Sequence, residues 1–111
     1  MPTLTPVIPQ NITVHLGAPG SNAPNVTVPF ADYIKNVASS EIYPTWPDAA
    51  IRANIYAQLS YAMNRIYTQY YRSRGYDFDI TNDISRDQSF VYERDIFENI
   101  SQIVDEIFNS Y

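Results

Sequence analysis

Residues 30–63 read FADYIKNVASSEIYPTWPDAAIRANIYAQLSYAM and join two helical patterns through a proline-rich break. The apolar side chains of the first pattern recur at helical spacing, at Phe30, Ile34, Val37 and Ala38. Pro44 and Pro47 end this pattern. Pro47 followed by Asp48 is typical of a helix start, where proline needs no amide partner and an acid faces the positive helix end. The spacing predicts a first helix ending near Glu41 and a second beginning near Asp48.

The second helical pattern runs from residue 48 to about residue 73 and stops at Gly75. Its main apolar stripe consists of Ile51, Ile55, Leu59, Ala62, Ile66 and Tyr70. A flanking set widens the stripe to more than half of the circumference, namely Ala53, Tyr56, Met63 and Tyr67. So wide an apolar surface predicts a central helix. Its tyrosines, with Tyr71, are predicted to be core residues, and stacking on sugar rings is the alternative.

An alternating pattern ahead of the first helix predicts a β-hairpin. Its apolar members alternate with polar residues, at Ile12, Val14 and Leu16 and again at Val26 and Val28. Residues 17–24, GAPGSNAP, supply the turn between the two strands. His15 is the only histidine and falls on the polar side of the first strand. We expect a surface side chain there, because no partner for catalysis or metal binding is spaced near it.

The sequence after Gly75 is polar and acidic. Residues 76–92 predict a loop with at most one short helical turn. The acids of this segment lack the glycine and the terminal glutamate of an EF-hand, which disfavours a calcium site. A third helix is predicted from about residue 93, with a buried face of Ile96, Ile100, Ile103 and Ile107 flanked by Phe97, Val104 and Phe108.

The order of these patterns predicts an α+β fold, in which an N-terminal β-hairpin packs against two long helices and one shorter helix. Residues 1–10 carry three of the eight prolines and predict an extended linker, so the folded domain is expected over residues 11–111. A chain of 111 residues fits one small domain or part of a larger one. Its 45% of hydrophobic residues is enough for a core.

Charge and composition narrow the functional classes. Seven Lys and Arg against twelve Asp and Glu give a net charge of −5, the wrong sign for general attraction to nucleic acid. The absence of cysteine excludes disulfides, thiolate zinc sites and cysteine nucleophiles. No apolar run approaches the roughly 20 residues of a membrane-spanning helix, and the N-terminus has no signal-peptide pattern. We therefore expect no nucleic-acid partner and no membrane span in this chain.

Glu41 stands out because helical spacing puts it on the apolar stripe of the first helix, three residues after Ala38 and seven after Ile34. Burial and the negative C-terminal end of the helix both disfavour a charged carboxylate, and both predict a raised pKa. A glutamate that stays protonated near neutral pH can act as a general acid, particularly if Trp46 folds over it. A solvated glutamate at a frayed helix end is the alternative.

Residues 30–63 resemble the SpoIID/LytB domain, the family of peptidoglycan lytic transglycosylases named after sporulation stage II protein D. The resemblance is carried by the Ser-Glu-x-x-x-x-Trp-Pro core and the alanine-rich, Tyr-Ala helix behind it. Residues 75–107 resemble the family's Gly-Tyr-Asp, Asp-Gln-x-x-x-Tyr and Ala-Val-Asp-Glu-Thr region. Together they imply the N-terminal portion of a SpoIID-like domain, since the chain stops before the family's later half and is expected to be truncated.

In this family the glutamate of the Ser-Glu-Met motif is catalytic, and the resemblance gives Glu41 that position. It implies cleavage of the glycan strand after N-acetylmuramic acid, where one acid protonates the leaving oxygen and then accepts the proton of the muramic 6-hydroxyl. The product has a 1,6-anhydro end. A single carboxylate is enough for this route, unlike the carboxylate pair of ordinary glycosidases. Weaker candidates for substrate binding are Arg52, Asn54, Trp46 and Tyr61.

The resemblance also implies partners and a location. Peptidoglycan glycan strands are the expected partner, at the bacterial cell surface, in the cell wall or in the spore envelope. Some members bind zinc through Cys and His residues that this chain lacks, so no metal or cofactor is expected. Leu59 replaces a family arginine, which keeps a non-catalytic cell-wall-binding or assembly domain as the alternative function. The exposed faces of a partial domain also favour a homo-oligomer.

Overall fold

A computed structural model describes residues 7–110 as a three-stranded sheet packed beside three helices. The elements follow in the order β1 Asn11–His15, β2 Asn25–Pro29, α1 Phe30–Glu41, α2 Asp48–Tyr67, a 3₁₀ helix Arg72–Arg74, β3 Ile80–Thr81 and α3 Glu98–Ser110. The predicted α+β class with an N-terminal hairpin is confirmed. The end of α1 at Glu41 and the start of α2 at Asp48 agree with the proline signals between them.

The sheet has the strand order β2-β1-β3. β1 and β2 pair antiparallel, with Val14 opposite Val26, as the alternating pattern predicts. β1 and β3 pair parallel, with Val14 opposite Ile80. The prediction of loop alone for residues 76–92 is wrong at β3, because a strand of two residues is too short to show an alternating pattern.

One apolar core joins the sheet to all three helices, and α1 packs against both other helices and both hairpin strands. Its fully buried side chains include Ile12, Val14, Phe30, Tyr33, Ile34, Val37, Ile51, Ile55, Leu59, Ile100, Val104 and Ile107. The buried face of α2 is narrower than predicted, because Ala53, Tyr56 and Tyr67 are exposed. Because α1 contacts α2, α3, β1 and β2, the central helix is α1 rather than α2.

Two helix boundaries differ from the predictions, and each lies near a residue with left-handed backbone. α2 ends at Tyr67 instead of residue 73, and Gln69 has a φ of 52°. α3 begins at Glu98 instead of residue 93, where Glu93 has a φ of 64°. An α-helix cannot continue through a left-handed residue, so α2 cannot reach residue 73 and α3 cannot include residue 93.

The predicted surface position of His15 is wrong, since its exposed fraction is 5%. Its ring stacks on Phe78 with centroids 4.5 Å apart. Nδ1 lies 2.6 Å from Oδ1 of Asn25, and Nε2 lies 3.2 Å from Oγ of Ser21. Phe78 and the hairpin turn cover the polar side of β1, which an alternating pattern alone cannot reveal.

Residues 1–6 of the predicted linker lie outside the described residues. Of the remainder, Ile8 packs against the core, and the Val7 carbonyl accepts a hydrogen bond from the Tyr67 hydroxyl. The Phe30 amide donates to the Gln10 carbonyl at 2.9 Å. The chain thus contacts the folded body from residue 7 onward, and the domain boundary stays a prediction. Across residues 7–110, no helix has the length and apolarity to cross a membrane.

Candidate functional site

The segment joining β3 to α3, residues 82–97, lies along the polar side of α1. We call it the 82–97 loop. Asn36 of α1 pairs with the backbone of Val91 in both directions: its Nδ2 donates to the Val91 carbonyl at 2.7 Å, and the Val91 amide donates to its Oδ1 at 2.9 Å. Farther along, the Phe97 amide donates to Oγ of Ser39 at 3.3 Å. These bonds hold the loop against α1 up to its last turn.

Glu41 is the last residue of α1, and two protein groups donate to its carboxylate. The Ser89 amide donates to Oε2 at 2.8 Å, and Nε2 of Gln58 donates to Oε1 at 3.2 Å. The predicted burial of Glu41 is wrong, because the residue is exposed. The chain leaves the helix at Ile42 with extended backbone, and Ile42 takes the buried position instead.

A surface concavity of about 230 Å³ lies beside the Glu41 carboxylate. Its other lining residues are small polar, aliphatic, aromatic and proline side chains, namely Ser39, Ser40, Ile42, Tyr43, Pro44 and Phe97. No second carboxylate lines it among the described residues. A carboxylate oxygen has two acceptor positions, so each oxygen of Glu41 keeps one position for a ligand. We call this arrangement the Glu41 concavity.

Two buried glutamines support Glu41 from behind. Gln58, with an exposed fraction of 7%, lies on α2, and its backbone carbonyl accepts a hydrogen bond from Nε2 of Gln88 at 3.0 Å. The Gln88 Oε1 atom accepts from the Tyr33 hydroxyl at 2.8 Å. Burial, reinforced by the nearby charges of Asp87 and Glu41, raises the pKa of Tyr33 well above its ordinary value. Tyr33 therefore stays a neutral donor.

Sequence reasoning misses Gln58, Gln88 and Ser89. A polar residue beside Leu59 in the buried face of α2 is the one available signal, and it points to Gln58. Gln88 and Ser89 give no such signal, because their contacts reach residues 30 and 48 positions away. The buried Oε1 of Gln58 has no hydrogen-bond partner within residues 7–110.

Trp46 and Arg52, both predicted to bind substrate, lie in different places. Trp46 is 39% exposed and does not line the Glu41 concavity. Its ring lies beside that of Tyr43, which does line it, with centroids 6.1 Å apart. Arg52 joins α2 to α3, because its guanidinium contacts Glu106 at 2.5 Å and Asp48 at 2.6 Å. Hydrogen bonds to these two carboxylates raise the pKa of Arg52. A ligand would have to compete with both.

Asn54 and Tyr61, the other predicted binding residues, share one face of α2 with Gln58 and Arg65. Residues three and four positions apart on a helix lie on the same side, so the four form a continuous row. Asn54 is exposed at one end. At the other end, the Tyr61 hydroxyl donates to Oδ1 of Asp87 at 2.9 Å. Within this row, Gln58 bonds to Glu41, and Tyr61 and Arg65 bond to a second carboxylate.

That second carboxylate, Asp87, has a fully buried side chain. It accepts five hydrogen bonds, from Tyr61 Oη at 2.9 Å, Arg65 Nε at 2.9 Å, Tyr71 Oη at 2.5 Å, Thr81 N at 3.1 Å and Thr81 Oγ1 at 2.6 Å. We call these residues the Asp87 cluster. Burial alone raises the pKa of Asp87, but its hydrogen bonds, led by those of Thr81, outweigh burial and hold the pKa below its ordinary value. The cluster is therefore structural.

Neither Glu41 nor Asp87 belongs to a candidate metal site. The described part of the chain contains no cluster of three His, Asp or Glu side chains that could hold an ion. No match was found among curated proteins or among solved structures. A family model described as SpoIID, stage II sporulation protein, matches residues 21–107. This range includes Glu41, both of its donors and the Asp87 cluster. The chain therefore belongs to the SpoIID family, which supports a role in sporulation and the bacterial cell wall.

Proposed function

We propose that this chain is a peptidoglycan-remodelling module that cleaves glycan strands after N-acetylmuramic acid, with Glu41 as its single acid and base. The observation that carries the proposal is the placement of the Glu41 carboxylate. Two protein donors orient it, and it borders a concavity that no other carboxylate lines among the described residues. Membership of the SpoIID family supports a cell-wall substrate.

The proposed reaction needs one proton carrier and no water. Protonated Glu41 gives its proton to the glycosidic oxygen as the bond from that oxygen to muramic C1 breaks. The carboxylate then takes the proton of the muramic 6-hydroxyl, whose oxygen forms a new bond to C1. One strand gains a 1,6-anhydro end, the other a free hydroxyl, and Glu41 is protonated again. Donors from Ser89 and Gln58 keep the carboxylate in place throughout.

A glycan strand extends to both sides of the bond that breaks, so binding groups are needed in both directions. On one side, the exposed ring of Trp46 beside Tyr43 offers an apolar face to a sugar. Asn54 and Tyr61, which flank Gln58 in the polar row on α2, are proposed to provide polar contacts to the rest of the strand. Arg52 would contribute if a ligand displaced its carboxylate partners. The proposed location is the cell wall or the spore envelope.

A glycan-binding or assembly domain without activity is the second candidate. Leu59, where the family resemblance implies an arginine, is fully buried in the core. As an apolar side chain, Leu59 offers no positive charge to the glycan. In that case Trp46 and Tyr61 would bind the glycan, and Glu41 would be an ordinary surface carboxylate.

The two candidates separate in a cleavage assay on purified glycan strands, with mass spectrometry of the new ends. We expect anhydro ends from the unmodified chain and at least a hundredfold fewer from Glu41→Gln, the usual scale for losing an acid or base. Glu98→Gln, which removes the same charge from an exposed position on α3, is the matched control and should cleave normally. Equal cleavage by both variants would remove Glu41 from the mechanism. Glycan binding by the unmodified chain without any cleavage would favour the second candidate.

A further inference from the structure

Arg94 of the 82–97 loop lies beside the Glu41 concavity and contacts two of the residues that line it. Its Nη1 atom donates to Oγ of Ser40 at 3.2 Å. Its Cζ atom lies 5.5 Å from the centroid of the Phe97 ring. Because Ser40 and Phe97 both line the concavity, the Arg94 guanidinium group is adjacent to the space beside the Glu41 carboxylate.

No acidic side chain in the part of the chain that the structure describes neutralises Arg94. Its guanidinium nitrogens have no carboxylate oxygen within 4.0 Å there. Asp32 and Glu93 line a neighbouring groove together with Arg94, but they too lie beyond this distance. Nε donates to the Asp95 carbonyl and Nη1 to Ser40, whereas Nη2 has no hydrogen-bond partner among the described residues. Arg94 thus keeps a positive charge and a donor group for a ligand.

The backbone at Arg94 is held in one place by its neighbours. The Arg94 amide donates to the Val91 carbonyl at 3.1 Å, and Val91 is itself bound by Asn36 of α1. Glu93, directly before Arg94, has a φ of 64°, a left-handed conformation that residues with a side chain rarely adopt. Such a conformation persists only where surrounding contacts enforce it, and it is frequent at functional sites. The loop therefore presents Arg94 in a defined position.

The substrate of the proposed reaction offers a group that suits this position. Muramic acid differs from N-acetylglucosamine by a single substituent, the lactyl group on the oxygen of C3. The carboxyl oxygens of this group accept hydrogen bonds, whether it ends as a carboxylate or as an amide. C3 is two ring atoms away from C1, where the scissile bond is proposed to meet Glu41. The lactyl group of a bound muramic acid therefore lies close to the Glu41 carboxylate.

We infer that Arg94 binds the lactyl group of muramic acid, and that this contact selects muramic acid over N-acetylglucosamine beside Glu41. The inference rests on the proposed function, which places muramic C1 at Glu41. A guanidinium group binds carboxyl oxygens through charge-assisted hydrogen bonds, for which Nη2 of Arg94 is available. The Phe97 ring offers apolar contact to the lactyl methyl group. Arg94 also supplies, from the 82–97 loop, a positive charge that Leu59 does not supply from α2.

Calorimetric titration with two tetrasaccharides of equal length tests the inference. One alternates N-acetylglucosamine with N-acetylmuramic acid, and the other, chitotetraose, contains N-acetylglucosamine alone. The titrations use the full chain carrying Glu41→Gln, so that neither ligand is cleaved during the measurement. We expect the muramic tetrasaccharide to have a Kd about tenfold lower or more, the usual scale for a hydrogen bond to a charged group.

Adding Arg94→Gln should bring the two Kd values to within about threefold of each other. The Kd for chitotetraose should stay unchanged, which also shows that this variant is folded. Arg72→Gln is the matched control, because it removes the same charge from an exposed ion pair with Asp79 and should keep the full difference. Arg94→Lys, which keeps the charge without the planar fork, should keep part of it.

Equal affinity for the two tetrasaccharides before any change at Arg94 would overturn the inference. An equal loss of affinity for both in Arg94→Gln, or loss of the difference in Arg72→Gln, would overturn it as well. The inference and the proposed function fail separately. Cleavage that depends on Glu41 without Arg94-dependent selection removes the inference alone, whereas Arg94-dependent selection by a chain that never cleaves glycan removes the catalytic proposal alone.

Discussion

Asp87 lies in the 82–97 loop and Glu41 bonds to that loop, and both bond to side chains of α2, yet their environments are opposite. The Asp87 side chain is fully buried and accepts five hydrogen bonds. The Glu41 side chain is exposed, accepts two hydrogen bonds and borders a concavity. A carboxylate with all acceptor positions filled can only hold structure, whereas one with open positions can also meet a ligand. The 82–97 loop thus anchors itself through Asp87 and positions Glu41 through Ser89.

The largest expected difference between the two carboxylates is the loss of folding stability when each is replaced by its amide. Asp87→Asn leaves Arg65 without a counter-charge, and we expect the free energy of unfolding to fall by about 3 kcal/mol. Glu41→Gln changes an exposed side chain and should lower it by less than about 1 kcal/mol. Urea denaturation of both variants measures the difference. Equal losses would contradict the structural role assigned to Asp87 alone.

Acid should remove the stability that Asp87 contributes. Because its hydrogen bonds hold the pKa of Asp87 below the ordinary value of 3.8, the unfolded chain binds more protons near that pH. The stability that Asp87 contributes is complete above pH 3.8 and is lost as the pH falls through its folded-state pKa, with a slope of at most about 1.4 kcal/mol per pH unit.

Urea denaturation between about pH 6 and about pH 2 should show a shallower acid dependence in Asp87→Asn than in the unmodified chain. Some dependence should remain, because hydrogen bonds from Ser85 also lower the pKa of Asp83. Identical acid dependence in the two proteins would contradict the assignment to Asp87.

Gln58→Met should separate the role of Gln58 in positioning Glu41 from its role in folding. Methionine is similar in volume but removes the donor to Glu41 together with the buried Oε1 that has no partner in residues 7–110. These two losses offset, so we expect stability to change by less than about 1 kcal/mol. Cleavage should have a kcat about tenfold lower at unchanged KM, because Glu41 loses one of its two orienting bonds. An unchanged kcat would show that Gln58 does not position Glu41.

The smallest expected effect concerns the turn that brings Tyr71 to Asp87. Gln69 has a φ of 52°, which glycine adopts at lower cost than glutamine. Gln69→Gly should therefore raise the free energy of unfolding by about 0.5 kcal/mol, measured by thermal or urea denaturation, with cleavage unchanged. A lower stability would mean that the Gln69 side chain contributes more than its backbone strain removes.

Much of the fold can be predicted from apolar spacing, because it depends on patterns of ten residues or more. The hairpin and the buried faces of the helices are of this kind, whereas the end of α1 at Glu41 and the start of α2 at Asp48 follow from Pro44 and Pro47. The early end of α2 and the late start of α3 involve single left-handed residues, Gln69 and Glu93. The spacing of apolar residues gives no indication of such a residue. β3 depends on pairing with a strand more than sixty residues earlier in the chain.

Of Glu41, Ser89 and Asp87, only Glu41 is predictable from the sequence. Helical spacing and family resemblance both single out Glu41, but spacing places it in the core and the structure places it at the surface. The reason is local, since Ile42 leaves the helix and occupies the buried position. Ser89 and Asp87 have no sequence signal because their roles arise from tertiary contacts of the 82–97 loop.

The mass of the new glycan ends formed in water enriched in ¹⁸O tests the central claim most directly. If Glu41 alone carries the proton and the 6-hydroxyl is the nucleophile, the unmodified chain should form anhydro ends free of ¹⁸O, and Glu41→Gln should form almost none. Ends that contain ¹⁸O, or anhydro ends formed equally by Glu41→Gln, would contradict the account.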